Sequence, residues 1–317
     1  GNNNTAVGHE ALELNTSGAN NVAVGRQALE ANTTGASNVA VGYYAGLQNT
    51  TGNCNVSLGV ASNQNTSTGS NNTAIGHVAL LSNTTASNNT AVGGFALCSN
   101  TTGACNTAVG YLSLLCNTTG TDNVAIGKEA SNCNTTASNN VAIGRQALCQ
   151  NSTGECNVAV GLAAALSATG DNNIAIGMLA GQTGLTPAGI FNLVANNDRI
   201  VMGNNDHTNA YIKIAWTVTS DARDKMNIST VPHGLDFVNQ LEPVSFQFKK
   251  DRDTEVPHGN KRYGFLAQDI LELEGENNVI IDNEDTDNLK YQGEALVPVL
   301  VNAIKELTAR VKELENE

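Results

Sequence analysis

A short motif ending in glycine recurs every 17 residues through the first half of the chain. The motif reads Asn-x-Ala-(Val/Ile)-Gly, and its eleventh copy ends at Gly177, one residue early. The regularly spaced glycines are Gly8, Gly25, Gly42, Gly59, Gly76, Gly93, Gly110, Gly127, Gly144 and Gly161. A fixed period of this length predicts a solenoid in which each repeat forms one coil and stacks on its neighbours.

Each repeat contains a short strand and a turn. In x-Ala-Val-Gly the side chains alternate between two faces, and glycine permits a tight bend. The Ala-Leu pair that follows, such as Ala28-Leu29, supplies a second inward patch. Asn-Thr-Thr-Gly, as at residues 32–35, is typical of a turn because Asn and Gly tolerate positive φ. We therefore expect eleven coils of about 4.8 Å each in a parallel β-solenoid shaft of roughly 50 Å.

An asparagine opens each strand, from Asn4 and Asn21 to Asn173. Stacked coils would bring these side chains into a ladder in which each amide hydrogen-bonds the next coil. A carbohydrate-binding ladder is the alternative interpretation. The adjacent threonines lie beside glycine in the turn, which disfavours an ice-binding surface.

Large apolar side chains are scarce: aromatic residues make up 4% of the chain and charged residues 14%. A coil filled with Ala and Val buries little surface, so we expect three chains to pack around one axis as a homotrimer. The net charge of −13 disfavours nucleic acid and anionic membranes as partners. No apolar run approaches the roughly 18 residues of a membrane helix.

Seven cysteines lie between Cys54 and Cys156, and none forms a CxxC pair. Their spacing does not fit a zinc site, and no metal or cofactor is predicted. We interpret them as small buried apolar residues in a reducing compartment, with disulfides as the alternative. The chain begins inside a repeat at Gly1, which predicts that it is a fragment of a longer protein.

The period ends after Gly181, and the composition becomes charged and mixed from Ser220. We predict a shaft over residues 1–181, a β neck over 182–219 with strands at 199–203 and 210–216, and an α/β domain over 220–317. From about residue 295 a final helix carries apolar residues at alternating spacings of three and four, which predicts a coiled-coil seam. The seam residues are Val297, Leu300, Ile304, Leu307, Val311 and Leu314. Their side-chain types alone would favour two strands.

The segment that begins at Ser220 reads Ser-Asp-x-Arg-x-Lys-x-x-Ile. Taken alone, it could be a helix start capped by Ser220. Further blocks follow in order, at residues 234–246, 263–270 and 289–291. Together they resemble the intramolecular chaperone domain of endosialidase-type phage tailspikes and viral fibre proteins. The repeats resemble the head repeats of trimeric autotransporter adhesins, which implies a trimeric left-handed β-roll.

The resemblance to the chaperone family implies that the chain cuts itself between Thr219 and Ser220. Ser220 Oγ would attack the Thr219 carbonyl, and water would hydrolyse the resulting ester. Lys225 would be the base or would orient the water. A lysine needs desolvation or a nearby cation to serve as a base at neutral pH. Each molecule would cut only once.

Asp221 and Arg223 also match the family pattern. Arg223 is interpreted either as the cation beside the lysine or as a residue that holds the loop through Asp221 or Asp224. His233 and His258, both in Val-Pro-His-Gly sequences, are interpreted as solvated loop residues.

Three functions follow from these patterns. The first is a viral tail fibre, assembled in the host cytoplasm and carried on the virion, that reaches a host glycan or receptor through the shaft or upstream domains. The second is a cellular trimeric adhesin whose C-terminal domain is only a trimerisation cap. The third is a glycan-degrading spike with its catalytic domain upstream, since no paired carboxylates here suggest a cleft. The closing coiled coil favours the viral fibre over an adhesin, which would be expected to end in a membrane anchor.

Overall fold

The computed structural model describes residues 1–182, 193–204, 206–207, 210–211, 213, 218–249, 255–275, 278–284, 286 and 289–316. The chain divides into two compact units, Gly1–Asp206 and His207–Glu317. The strand predicted at 210–216 lies largely outside the described residues.

Every repeat forms one three-residue strand, and the strands stack into a parallel sheet. They are β1 (Thr5–Val7), β2 (Val22–Val24), β3 (Val39–Val41), β4 (Val56–Leu58), β5 (Thr73–Ile75), β6 (Thr90–Val92), β7 (Thr107–Val109), β8 (Val124–Ile126), β9 (Val141–Ile143), β10 (Val158–Val160) and β11 (Ile174–Ile176). Equivalent residues lie opposite one another, as Ala91 does to Ala108. The predicted parallel β-solenoid is confirmed.

A twelfth strand, β12 (Ile200–Met202), pairs in parallel with β11. The sequence predicted a strand here, but as part of a neck. Val201 lies opposite Ala175 and takes the buried central position that alanine holds in most earlier coils. The solenoid sheet therefore continues beyond residue 181, where the period ends.

Small side chains fill the interior of the solenoid. The central residue of β5, Ala74, is fully buried, and so are Ala79 and Leu80 in the segment that follows. The first and last residues of the strand remain partly or largely exposed. The predicted thin core is confirmed, so each coil depends on the coils above and below it.

The spacing of the coils requires the repeat glycine. At Gly76 φ is 137°, and a Cβ there would lie 2.6 Å from the carbonyl oxygen of Gly93 in the next coil. Any other residue would clash with that backbone and would also adopt a strained φ.

Two columns of asparagine run through the interior. In the strand column, the backbone N–H of Asn89 donates to Asn72 Oδ1 at 3.0 Å, and Asn89 Nδ2 donates to the Gly103 carbonyl at 2.9 Å. In the turn column, Asn117 Nδ2 donates to Asn100 Oδ1 at 2.8 Å. These side chains are fully buried. The structural ladder is confirmed, and its burial leaves no surface for carbohydrate.

The prediction that the cysteines are buried is wrong. All seven carry free thiols: Cys54, Cys105, Cys133 and Cys156 are exposed, and Cys98, Cys116 and Cys149 are partly buried. Alanine, leucine and asparagine already occupy the interior columns, so the cysteines fall outside them. Partial burial raises the pKa of Cys149 to about 11, which keeps this thiol protonated at neutral pH.

The second unit is the predicted mixed α/β region. It contains α1 (Leu235–Val238), β13 (Val244–Lys249), β14 (Pro257–Gly264), α2 (Ala267–Glu274), β15 (Ile281–Asp282), β16 (Lys290–Tyr291) and α3 (Leu296–Glu315), with 3-10 turns at Ala222–Asp224 and Gly293–Ala295. The pairs β13–β14 and β15–β16 are antiparallel. Phe237, Ile270, Ile280, Ile281, Leu296 and Val299 form the core. Among the described helices, none is both long enough and apolar enough to cross a membrane.

A buried carboxylate fixes the loop after α2. Glu274 Oε1 accepts from the backbone N–H of Val279 at 2.8 Å and of Ile280 at 2.7 Å, and Oε2 accepts from that of Ile281 at 2.9 Å. Three charge-assisted hydrogen bonds offset the desolvation of the carboxylate and place β15 on the core.

Candidate functional site

Ser220 and Lys225 lie at the two ends of one short turn. Residues Ala222–Asp224 form the 3-10 turn, and the N–H of Lys225 donates to the carbonyl of Ala222 at 3.3 Å. This reversal brings the two side chains together, and Lys225 Nζ donates to Ser220 Oγ at 2.7 Å. The pair predicted from the sequence is in direct contact.

Asp221 caps the turn, so the alternative in which Ser220 is the cap is wrong. Asp221 Oδ1 accepts from the backbone N–H of Arg223 at 2.9 Å. The Arg223 guanidinium also pairs with Asp221, with Nη2 2.6 Å from Oδ2. Two roles were considered for Arg223, as a cation beside Lys225 or as a residue that holds the loop. The structure shows the second contact, with Asp221 as its partner.

The ion pair shifts the titration of both partners. Hydrogen bonds from Arg223 hold the pKa of the Asp221 carboxyl below its ordinary value, and Asp221 raises the pKa of Arg223. Because the folded-state pKa of Asp221 is lowered, the contact stabilises the turn at neutral pH. This contribution is lost as the pH falls through the lowered value.

Thr219, Ser220 and Lys225 are all exposed in the single chain. The Thr219 carbonyl carbon is bonded to the Ser220 nitrogen, so Ser220 Oγ can reach it by closing a small ring. The contact with Lys225 provides a path for the hydroxyl proton. The turn therefore holds the Ser220 hydroxyl and the Lys225 amine together beside the Thr219–Ser220 peptide bond.

The closing helix α3 has two apolar faces. Leu296, Val299 and Ala303 are buried against the core of their own chain. The predicted seam residues occupy a different face and remain exposed, as with Ile304 at 63% and Leu314 at 71%. Pro298 lies in the first turn of the helix, where its missing N–H costs no intrahelical hydrogen bond. The seam residues therefore form a second apolar face that is exposed in the single chain.

The same helix holds the segment that follows the Ser–Lys turn. Asn302 Nδ2 donates to the carbonyls of Val231 at 3.2 Å and His233 at 3.3 Å. Glu306 Oε2 accepts from the Leu235 N–H at 2.8 Å, at the start of α1. These contacts were not predicted from the sequence. The four-residue spacing of Asn302 and Glu306, with Arg310 following, was the available signal for a polar face.

The prediction that both histidines of the Val-Pro-His-Gly sequences are solvated loop residues is wrong for His258, whereas His233 lies in the loop before α1 and is partly exposed. The His233 ring packs on Phe237 with centroids 4.3 Å apart. His258 lies within β14, and its Nε2 is buried. Packing against neighbouring elements therefore shields both histidines only in part from solvent.

A cluster of three acidic side chains lies elsewhere, on the first coils of the solenoid. Carboxylate oxygens of Glu10, Glu13 and Glu30 lie within 4.8 Å of one another. Exposed acidic groups commonly meet in this way without binding an ion.

Residues 220–280 match the model of a peptidase family described as the chaperone of endosialidase. The match begins at Ser220 and runs through the Ser–Lys turn to α2 and the loop behind it, while α3 lies beyond it. Neither the curated proteins nor the solved structures contain a match to the chain.

Proposed function

We propose, from the premise that an endosialidase-type chaperone domain follows a β-solenoid in this chain, that it is part of a viral tail-fibre protein that matures by cutting itself. The chaperone domain brings three chains together, the solenoids fold side by side, and the domain is released by cleavage between Thr219 and Ser220. The observation that carries this proposal is the 2.7 Å contact between Lys225 Nζ and Ser220 Oγ at the first residue of the family match.

The proposed cleavage is an acyl transfer followed by hydrolysis. Lys225, in its neutral form, takes the proton of Ser220 Oγ as the oxygen bonds to the Thr219 carbonyl carbon. The Thr219–Ser220 C–N bond then breaks, and the departing nitrogen takes a proton to become the amine of Ser220. Water attacks the ester and leaves a carboxylate on Thr219 and a hydroxyl on Ser220. Since the chain is its own substrate, each molecule reacts once.

A trimer would give this site the water-excluded environment that a lysine base needs. In the single chain Ser220 and Lys225 are exposed. A neighbouring chain that covers the turn would desolvate Lys225 and so disfavour its charged ammonium form, while the ester must still be reached by one water molecule. Cleavage would then wait until the chains have assembled.

The homotrimer is supported by both units. The exposed seam of α3 provides one contact surface. In the solenoid, the third strand position carries an aliphatic side chain in every coil, and none of these is buried. This column consists of Val7, Val24, Val41, Leu58, Ile75, Val92, Val109, Ile126, Ile143, Val160, Ile176 and Met202. An uninterrupted apolar column on a thin-cored coil fits packing against further copies.

In this proposal the fibre is assembled in the host cytoplasm, is carried on the virion and reaches a host receptor or glycan. The alternative of a cellular adhesin with a plain trimerisation cap requires no Ser–Lys contact. That contact favours the self-cleaving fibre.

Cleavage is tested by expressing the chain and its variants Ser220→Ala and Lys225→Ala, then analysing each by denaturing gel and intact mass. We expect the wild type to yield fragments that meet between Thr219 and Ser220. Ser220→Ala should remain intact, and loss of the base in Lys225→Ala should slow cleavage by about 10²–10⁴-fold.

Two further variants sharpen this test. Lys225→Arg keeps the positive charge but cannot act as a base at neutral pH, so it should behave like Lys225→Ala. Ser229→Ala, in the same exposed segment, should cleave like the wild type. An intact wild-type trimer would contradict the proposed cleavage and leave the domain as a trimerisation cap. Cleavage of Lys225→Ala at the wild-type rate would contradict the role of Lys225 as the base.

A further inference from the structure

The aromatic and basic residues of the solenoid occupy the same part of the repeat, directly after its glycine. Residues 1–182 contain four aromatic side chains, Tyr43, Tyr44, Phe95 and Tyr111, and three basic ones, Arg26, Lys128 and Arg145. All seven occupy the first or second position after a repeat glycine, and so do the two histidines of this region, His9 and His77. The other positions of residues 1–182 carry neither an aromatic nor a basic side chain. This corner is therefore where the coils differ from one another in chemistry.

Five consecutive coils, those of β5 to β9, carry the longest such stretch. We call His77, Phe95, Tyr111, Lys128 and Arg145 the variable ridge. Backbone hydrogen bonds join these coils at the corner: the Phe95 N–H donates to the His77 carbonyl at 3.0 Å, and the Glu129 N–H donates to that of Tyr111 at 2.9 Å. Four steps of about 4.8 Å make the ridge roughly 20 Å long.

One end of the variable ridge is aromatic. The His77 and Phe95 rings meet edge to face with centroids 5.2 Å apart, and Phe95 and Tyr111 do so at 6.2 Å. Tyr111 remains 50% exposed. The rings therefore fix one another's orientation while part of their surface faces solvent.

The other end of the variable ridge is cationic. Lys128 and Arg145 are exposed on adjacent coils. Glu129, whose pKa is held below its ordinary value by hydrogen bonds from Gln146 and Lys128, neutralises part of this charge. Arg145 leaves the ridge cationic on a chain whose net charge is −13. An anion would be drawn to this end alone.

The variable ridge is a poor contact between copies of the chain. Three parallel chains in register place residues near the axis against their own copies. Lys128 and Arg145 would then meet like charges, which is unfavourable. The uniform aliphatic column at the third strand position has no such conflict, so in the proposed trimer the ridge faces outward.

We infer that the variable ridge binds an acidic oligosaccharide that lies along the coils. The electron-rich faces of Phe95 and Tyr111 pack against the C–H faces of sugar rings. The Arg145 guanidinium forms paired hydrogen bonds to a sugar carboxylate, and Lys128 adds a second cation. Two cations on an acidic chain are too few to hold the continuous phosphates of nucleic acid. The outward placement of the ridge rests on the proposed trimer.

The binding test uses the full chain and calorimetric titration with three carboxylated probes: hyaluronan hexasaccharide, hexagalacturonate and sialyllactose. Maltohexaose is the neutral probe. We expect saturable binding of at least one carboxylated probe and none of maltohexaose. Tyr111→Ala and Arg145→Ala should each weaken that binding at least about tenfold. His9→Ala, at the equivalent position of the first coil, is the matched control and should bind like the wild type.

Several results would overturn the inference. These are no binding of any carboxylated probe, equal binding of maltohexaose, or affinity unchanged by both ridge substitutions. Tighter binding of single-stranded oligothymidylate would assign the ridge to nucleic acid. A lower particle mass for Tyr111→Ala by light scattering would make it a subunit contact. Cleavage at Thr219 and particle mass, measured on the same samples, test the proposed function separately.

Discussion

At the scale of the residue, the coil that contains β4 departs from the repeat at two positions, and the two side chains there hydrogen-bond each other. Asn63 occupies the buried position that Leu80 and Leu97 hold in the next two coils. Thr66 stands where Asn83 and its equivalents form the turn column. The Thr66 hydroxyl donates to Asn63 Oδ1 and accepts from Asn83 Nδ2, the latter at 3.0 Å. Asn63 Nδ2 has no hydrogen-bond partner among the described residues, so the exchange leaves a buried donor unsatisfied.

Restoring the repeat with Asn63→Leu and Thr66→Asn together should stabilise this coil by about 1–3 kcal/mol, the cost of a buried unpaired polar group. The measurement is native-state amide hydrogen exchange of the Asn63 N–H, which donates to the Ala79 carbonyl and should exchange at least several-fold more slowly.

The single variants serve as controls for this pair. Asn63→Leu alone removes the acceptor of the Thr66 hydroxyl, so the two changes should be more favourable together than the sum of their separate effects. Stability changes that simply add, or faster exchange of the residue 63 N–H in the double variant, would contradict this account.

At the scale of the element, α3 presents three faces that make different contacts. Its first turns bury Leu296 and Val299 in the core of the chain, while its polar face holds the Val231–Leu235 segment through Asn302 and Glu306. A third face carries the exposed heptad seam. Because the helix contacts the segment after the Ser–Lys turn, the element proposed to join the chains also fixes the chain near the cleavage site.

Leu307→Asp should abolish trimerisation without unfolding the chaperone domain. Leu307 is 50% exposed in the single chain, so the substitution leaves the chain's own core intact, whereas a carboxylate in a trimer seam would be desolvated. Light scattering should give a monomer mass, and circular dichroism should retain the helix. Cleavage should slow because the turn stays exposed.

Ala309→Asp makes the matching change at an exposed position of the same helix, two residues after Leu307, and should remain trimeric. A trimeric Leu307→Asp variant would remove α3 from the proposed interface.

At the scale of the whole molecule, the solenoid is a one-dimensional stack in which each coil relies on its neighbours. Twelve strands of three residues share this sheet, and their interior is mostly Ala and Asn. In the proposed trimer, three such chains must start in register, and contacts between chains contribute nothing until the ends are joined. In the proposed function, a C-terminal chaperone that joins three ends raises their effective concentration, and its removal would leave a kinetically trapped shaft.

Refolding should therefore depend on the chaperone domain. After denaturation and dilution, uncleaved Ser220→Ala protein should recover its trimeric shaft, whereas shaft purified after cleavage should recover at least about tenfold less. Particle mass and protease resistance report the recovery. Equal recovery of both samples would show that the shaft needs no template.

The Ser–Lys turn could be predicted from the sequence because it is local: five residues separate Ser220 from Lys225, and a single 3-10 turn joins them. The twelfth strand was placed in a neck because the 17-residue period no longer marks it. The loop clamped by Glu274 and the packing of His233 gave no signal of their own in the sequence.

The sequence by itself determined the solenoid, because an exact period forces equivalent residues to stack and so specifies the strands, the buried alanines and the asparagine ladder. Only the tertiary structure decided where the cysteines lie, which face of α3 enters the core, and how Asn302 and Glu306 hold residues about 70 positions earlier in the chain. Such contacts join positions with no common period, and their partners depend on how separate elements pack against one another.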